Sequence, residues 1–219
     1  MLFSALLLVP AMSALAAEGP DLDARQAELQ AGYDAYETGL DAAGEGDYAT
    51  AIREFRRAAG DGLDVAQYNL GILYYTGRGV EPDHEQALHW LKQAARQGHT
   101  AAQFNVGVMY FNGQGVTSTW QDIWPLSLLT RSGNRAEAAE WYERAASSGH
   151  AEAQYYLATM YQEGLGVDED PVQAHFWAQA ARENEYRAAR ELLATLERGM
   201  NREQISEARR LYAEQTLPR

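Results

Sequence analysis

The sequence predicts an all-α fold, a solenoid of antiparallel helix pairs, and two observations carry that prediction. A six-residue phrase returns three times, as Ala66-Gln67-Tyr68-Asn69-Leu70-Gly71, Ala102-Gln103-Phe104-Asn105-Val106-Gly107 and Ala153-Gln154-Tyr155-Tyr156-Leu157-Ala158, each copy followed by a Tyr and a Gly-x-Gly-Val turn. The second observation lies in the tail of each unit: Trp90, Trp141 and Trp177 precede Ala94-Ala95, Ala145-Ala146 and Ala180-Ala181 at near-constant offsets, and Gly98-His99 matches Gly149-His150. A fixed period of this length marks stacked repeats that bury one continuous core.

The register fixes the organisation. Ala66 to Ala102 spans 36 residues, as does Ala153 to Ala189, whereas Ala102 to Ala153 spans 51, so the third unit holds 15 extra residues. The chain therefore divides into an N-terminal capping helix with a degenerate first repeat (18–65), repeat 2 (66–101), repeat 3 with an inserted loop at 117–131 (102–152), repeat 4 (153–188) and C-terminal capping helices (189–219). The degenerate unit carries Tyr48, Ala51, Ile52, Phe55, Ala58 and Ala59 one period before the second.

Each unit reads as two helices. Ala66, Leu70, Leu73 and Tyr74 share one helical face, and Tyr68, Ile72 and Tyr75 form a second apolar stripe. A helix covered on two sides lies between its own partner and the next repeat. Gly77, Gly113 and Gly164 close these first helices in the left-handed conformation. The second helices begin at Asp47, Asp83-x-x-Gln86, Asn134-x-x-Glu137 and Asp170-Pro171-x-Gln173, which read as capping boxes in which a residue three positions on reaches back to the cap. From there Ala87, Trp90, Leu91 and Ala94 fall on one face, small alanines allowing close approach and Trp filling the remaining volume.

The pattern A-Q-x-N-L-G-x-x-Y-x-x-G-x-G-V, then D-x-x-x-A-x-x-W-x-x-x-A-A-x-x-G-H, resembles the Sel-one-like repeat, a relative of the tetratricopeptide repeat, over roughly residues 30 to 190. The tail from Arg198 to Ile205 is similar to the closing helix pair of bacterial members. The resemblance implies a right-handed superhelical solenoid and a role in binding other proteins.

Charge and the N-terminus bound the setting. With 31 acidic and 18 basic residues the net charge is −13, and no Lys/Arg cluster breaks it, which argues against nucleic acid and anionic membrane surfaces as partners. Residues 1–17 hold an apolar run, Leu6-Leu7-Leu8-Val9, and the A-x-A-like Ala14-Leu15-Ala16 before Glu18, and read as a signal peptide without the usual basic start. The run is too short for a spanning helix and contains Pro10, so no stable membrane anchor is expected after cleavage. The expected location is periplasmic or secreted, the bacterial periplasm following from the resemblance.

Chemistry finds little footing. His84 and His89 stand five residues apart, one too many for the paired zinc ligands of a metalloprotease helix, and read as solvated. His99 and His150 recur in equivalent interrepeat turns and so read as structural. No nucleophile elbow, Ser-x-x-Lys pair or phosphate loop occurs, and the Gly-x-Gly turns lack the third glycine of a dinucleotide site. Asp170 in Asp168-Glu169-Asp170 is already a helix cap. No catalytic residue, metal or cofactor is expected.

Two surfaces remain. The first is the concave groove lined by successive first helices, where Asn69, Tyr75, Asn105, Phe111, Tyr156 and Gln162 lie beside the core stripe and are candidate partner contacts; the aromatics suit interrepeat core equally. The second is the insert, in which Trp120, Ile123 and Trp124 precede Pro125, and Leu126, Leu128 and Leu129 follow. Two Trp and several large aliphatics are not the composition of a polar linker. Such a segment folds back on the solenoid flank, binds a partner or a membrane surface, or is disordered. The leading functional expectation is a non-enzymatic protein-protein interaction scaffold or adaptor of the bacterial cell envelope. The alternative is a cell-wall or β-lactam hydrolase, as the resemblance to cysteine-rich relatives implies, although this chain has no Cys.

Overall fold

Residues 19–116 and 127–216 are described by the computed structural model, with side chains placed over 26–116 and 134–215. Ten helices occur among them: α1 (Gly19–Glu45), α2 (Tyr48–Gly60), α3 (Asp64–Thr76), α4 (His84–Arg96), α5 (Thr100–Asn112), α6 (Ser127–Ser147), α7 (Ala151–Glu163), α8 (Pro171–Glu183), α9 (Ala189–Gly199) and α10 (Arg202–Thr216). Helices α1/α2, α3/α4, α5/α6 and α7/α8 pair, and each second helix then packs on the first helix of the following unit. Both α9 and α10 pack on α8 and close the stack. The order is that of a helical repeat solenoid.

Alanine governs the spacing. Ala51, Ala58, Ala66, Ala87, Ala94, Ala102, Ala138, Ala145 and Ala153 are all fully buried, so neighbouring helices meet nearly backbone to backbone. Leu70, Leu91, Val106, Met109, Tyr142 and Leu157 fill what is left. A second cluster, with Leu193, Leu196, Met200 and Ala208 against Ala158, Ala174 and Ala178, forms the C-terminal cap. This core holds the groove helices at a fixed pitch.

A buried glutamine stitches each joint. Gln67 donates from Nε2 to the Ala59 carbonyl at 3.1 Å, Gln103 to Ala95 at 3.2 Å and Gln154 to Ala146 at 2.9 Å. Each bond adds a second donor to a carbonyl in the last turn of the preceding second helix, which also accepts the amide of the turn glycine, Gly62, Gly98 or Gly149. The Gln of the repeated phrase is thus a structural residue.

The recurrent histidines are helix caps. Nδ1 of His99 accepts from the Ala102 amide and Nδ1 of His150 from the Ala153 amide, each at 3.2 Å. Their rings stack on Tyr68 (4.5 Å) and Phe104 (4.6 Å). The second glycine of the Gly-x-Gly turn serves close approach: at Gly115, where φ is +70°, a Cβ would meet the His84 carbonyl oxygen. Gly79 and Gly166 abut Tyr48 and Arg135 in the same manner, at the equivalent place on the preceding unit's second helix.

Several expectations change. Asp47, Asp83 and Asp170 do cap their helices, accepting from Thr50, Gln86, and both Val172 and Gln173. The backbone amides of Asp83 and Asp170, however, donate to the carbonyls of Tyr74 and Tyr161 at 2.9 Å, so no side chain reaches back and the boxes are half boxes. The turn folds onto the end of its own first helix and supplies the acceptor. Asn134 is no cap, because α6 begins at Ser127 and runs through it. Residues 127–131 of the expected loop are therefore helix. His84 is half-buried against Tyr75, at 5.2 Å between ring centroids, rather than solvated; His89 is exposed. Trp90 and Trp177 are half-buried, and only Trp141 is buried among the three.

Candidate functional site

The first helices α3, α5 and α7 repeat at the pitch set by the alanine core, so equivalent positions form rows along one face. The row containing Asn69, Asn105 and Tyr156 lies next to the buried Leu70, Val106 and Leu157. Ile72, Val108 and Thr159 form a parallel, half-buried row three residues on. These rows build the groove.

Each candidate has a definite environment. Asn69 donates from Nδ2 to the Val65 carbonyl at 3.0 Å and to the Tyr36 hydroxyl at 3.2 Å, joining α3 to α1 across the face. Tyr75 and Asn105 come together with Ile72, Val108 and Met109 around a cleft of about 50 Å³ between α3 and α5. The Tyr75 hydroxyl donates to Gln114 Oε1 at 3.3 Å, which pins the ring at the seam. Phe111 is half-buried against the core, with the Arg135 guanidinium 5.7 Å from its ring centroid. It belongs to the seam more than to the open groove.

Tyr156 is exposed. Its ring stacks on Tyr142 at 5.6 Å and approaches Phe104 at 6.0 Å, so an aromatic face is held rigid from below and open above. Burial pushes the Tyr142 hydroxyl well above the usual tyrosine range. Gln162 is half-buried on α7. Trp120, Ile123 and Trp124 lie outside the described residues, and Leu128 falls on α6 with its side chain outside them. Of the candidates, Tyr75 and Asn105 thus share one cleft and Tyr156 is exposed.

These rows carry amide side chains at Asn69 and Asn105 and an exposed aromatic ring at Tyr156. Among the described residues no three His, Asp or Glu groups converge to hold a metal. No described helix is long and apolar enough to cross a membrane.

Two features escaped the sequence reading. Arg56 donates to the Tyr74 hydroxyl and Lys92 to the Tyr110 hydroxyl at 2.8 Å, a repeated cation–phenol contact between units. Glu143 occupies the same place in the next unit, and there Tyr161 is raised by burial first and by Glu143 second. The other is an exposed apolar stripe on α1, at Leu29, Tyr33 and Leu40. Its three-four spacing is readable in the sequence, but its exposure is not.

The Sel1 repeat family model matches residues 64–99, 100–118, 129–150 and 151–186. The match breaks between 118 and 129, inside the insertion. A Sel1 repeat protein from Oxalobacter formigenes is similar at 31% identity over 66% of this chain and 97% of its own, with a TM-score of 0.54. A protective antigen present in uropathogenic Escherichia coli strains, displaying an SLR fold, is 30% identical over 84% of this chain, with a TM-score of 0.41; this chain spans 46% of that one. A sel1 repeat protein from Klebsiella pneumoniae subsp. pneumoniae is 17% identical over 79% of this chain and 97% of its own, with a TM-score of 0.35. No curated protein matches.

Proposed function

Because the chain belongs to the Sel1 repeat family, whose solenoids serve as protein-protein interaction scaffolds, we propose that it is a non-enzymatic adaptor of the bacterial cell envelope, exported by residues 1–17 and binding a partner protein through the groove of α3, α5 and α7. The insert at 117–131 is a second element of the same binding surface in this reading.

One observation carries it. Within the repeated phrase the Ala and Gln positions are held to type in packing and hydrogen bonds, whereas the adjoining row changes from the half-buried Asn69 and Asn105 to the exposed Tyr156. A row free to vary beside rows that are not is the arrangement of a surface tuned to a ligand.

Site-specific photocrosslinking in the native envelope tests this. A crosslinker at Asn105 should capture a defined protein that one at Gln93, on the second helix α4, does not, and deletion of 117–131 should weaken the capture. Adducts that do not differ between Asn105 and Gln93 would overturn the groove assignment. A mature N-terminus at Glu18 in the periplasmic fraction is expected. Turnover of a chromogenic β-lactam by the purified protein would overturn the non-enzymatic part.

A further inference from the structure

Three of the four exposed large hydrophobic residues among those described, Leu29, Tyr33 and Leu40, stand on α1. With Tyr36 they fall at i, i+4, i+7 and i+11, the three-four spacing by which one helix presents a seam to another. The face of α1 that meets α2 is built from Gly32, Ala35, Gly39 and Ala42, all buried, and Tyr36 joins the stripe to it by packing on Phe55 with ring centroids 5.7 Å apart. Helix α1 is also 27 residues long against 13 for α2. Gly32 lies opposite Asp61, the residue that caps the end of α2, and Arg57 of α2 donates to the Ala31 carbonyl at 3.0 Å, so residues 26–30 run past α2 and are exposed. Tyr36 is anchored inward, on Phe55 and Asn69, whereas Leu29, Tyr33 and Leu40 stand exposed.

Charge says what covers it. From residue 26 to 52 there is no Lys or Arg, while Glu28, Asp34, Glu37, Asp41, Glu45 and Asp47 are all acidic. Asp34, Glu37 and Asp41 flank the seam on its solvent side and form no ion pair among the described residues. A second copy of α1 would bring the same carboxylates face to face, on chains of net charge −13 each. An anionic bilayer is disfavoured for the same reason. An apolar seam edged by carboxylates that have no cationic partner among the described residues fits a helix whose apolar stripe is edged by Lys and Arg.

We propose that α1 docks a basic amphipathic helix of a partner protein. The assignment rests on the reading of the chain as an adaptor and supplies its partner chemistry. The seam is continuous with the groove, because Tyr36 accepts from Asn69 on α3. A partner helix lying along Leu29, Tyr33 and Leu40 therefore leads its flanking chain into the row of Asn69 and Asn105.

The probe is a helical peptide of about 21 residues, long enough to match the seam, with Leu at three-four spacing flanked by Lys. It is compared with the same peptide carrying Glu for Lys, by fluorescence anisotropy on the full chain. The Lys peptide should bind at least tenfold more tightly than the Glu peptide, and binding should weaken as salt rises. The variant Leu29→Ser/Tyr33→Ser/Leu40→Ser should lose tenfold or more, and Asp34→Asn/Glu37→Gln/Asp41→Asn should lose the salt dependence. All six side chains are exposed, so both variants should keep the wild-type melting temperature, which is measured alongside. Equal binding of the two peptides, or undiminished binding to the Ser variant, would overturn the proposal. So would a concentration-dependent dimer abolished by the Ser variant, or binding to phosphatidylglycerol vesicles that the variant loses. A protein crosslinked from Asn105 but from neither Leu29 nor Leu40 would overturn the α1 assignment and leave the adaptor reading standing.

Discussion

Gln97 donates from Nε2 to the buried Oε1 of Gln67 at 2.8 Å, completing the hydrogen bonding of an amide that already stitches α3 to α2. Asn184 does the same for Gln154 at 2.9 Å. In the unit between, the equivalent place is taken by Ser148, whose short side chain turns back to the Arg144 carbonyl. Gln103 Oε1 is left buried without a partner.

Ser148→Asn should therefore stabilise the protein. Supplying a donor to a buried orphan acceptor is worth about 1 kcal/mol. The urea midpoint should rise with an unchanged slope, the sign of altered stability without altered unfolding surface. A midpoint equal to or below that of wild type would show that the introduced amide does not reach Gln103.

The turn glycines make a graded prediction. Gly98 has φ of +95° and open space around it, so Gly98→Ala should cost only the conformational strain, about 1 to 2 kcal/mol. Gly115 has φ of +70° and in addition sits against the His84 carbonyl. Gly115→Ala should cost about 1 to 3 kcal/mol more, because backbone must move to admit the methyl. Chemical denaturation of the two variants side by side checks the order; equal costs would mean that the α4 terminus yields freely.

The paired helices were legible because every first helix repeats the same face and every turn the same glycines. The role of Gln67, Gln103 and Gln154 was not, since a polar residue in a period looks like surface until the carbonyl it reaches is known. Asn134 misled for a local reason: a capping residue followed by Glu137 is a start signal only if the chain before it is not already helical, and α6 is helical from Ser127. The groove row was legible from its position beside the core. Sequence could not tell that Tyr75 and Phe111 are held at the seam by Gln114 and Arg135. The α1 stripe was missed because exposure, not spacing, distinguishes a seam from a core face.

The three tryptophans of the repeat should not be equivalent. Trp141 is 7% exposed, with the Arg144 guanidinium 4.5 Å from its ring centroid, and Trp141→Ala should cost about 3 to 5 kcal/mol. Trp90 is only half-buried, and its Nε1 is buried with no partner. Truncation there removes less apolar surface from the core and also deletes an unsatisfied donor, so Trp90→Ala should cost roughly half as much. Thermal and urea unfolding of both variants would expose the difference; an equal loss would place Trp90 in the core after all.

His150 ties stability to pH through its cap. Its Nδ1 accepts the Ala153 amide, which only the unprotonated nitrogen can do, and burial, opposed by Glu152, lowers its pKa below the usual imidazole value. The unfolded chain then binds a proton more readily than the folded one. This contribution is complete above about pH 6.5, where both states are neutral, and is lost as the pH falls from there through the folded value. His150→Asn keeps a side-chain acceptor at the cap but does not titrate. Urea midpoints measured from about pH 7.5 to about pH 5, a range that brackets the imidazole titration, should fall less steeply for His150→Asn than for wild type. Parallel slopes would show that the pH dependence comes from groups other than His150.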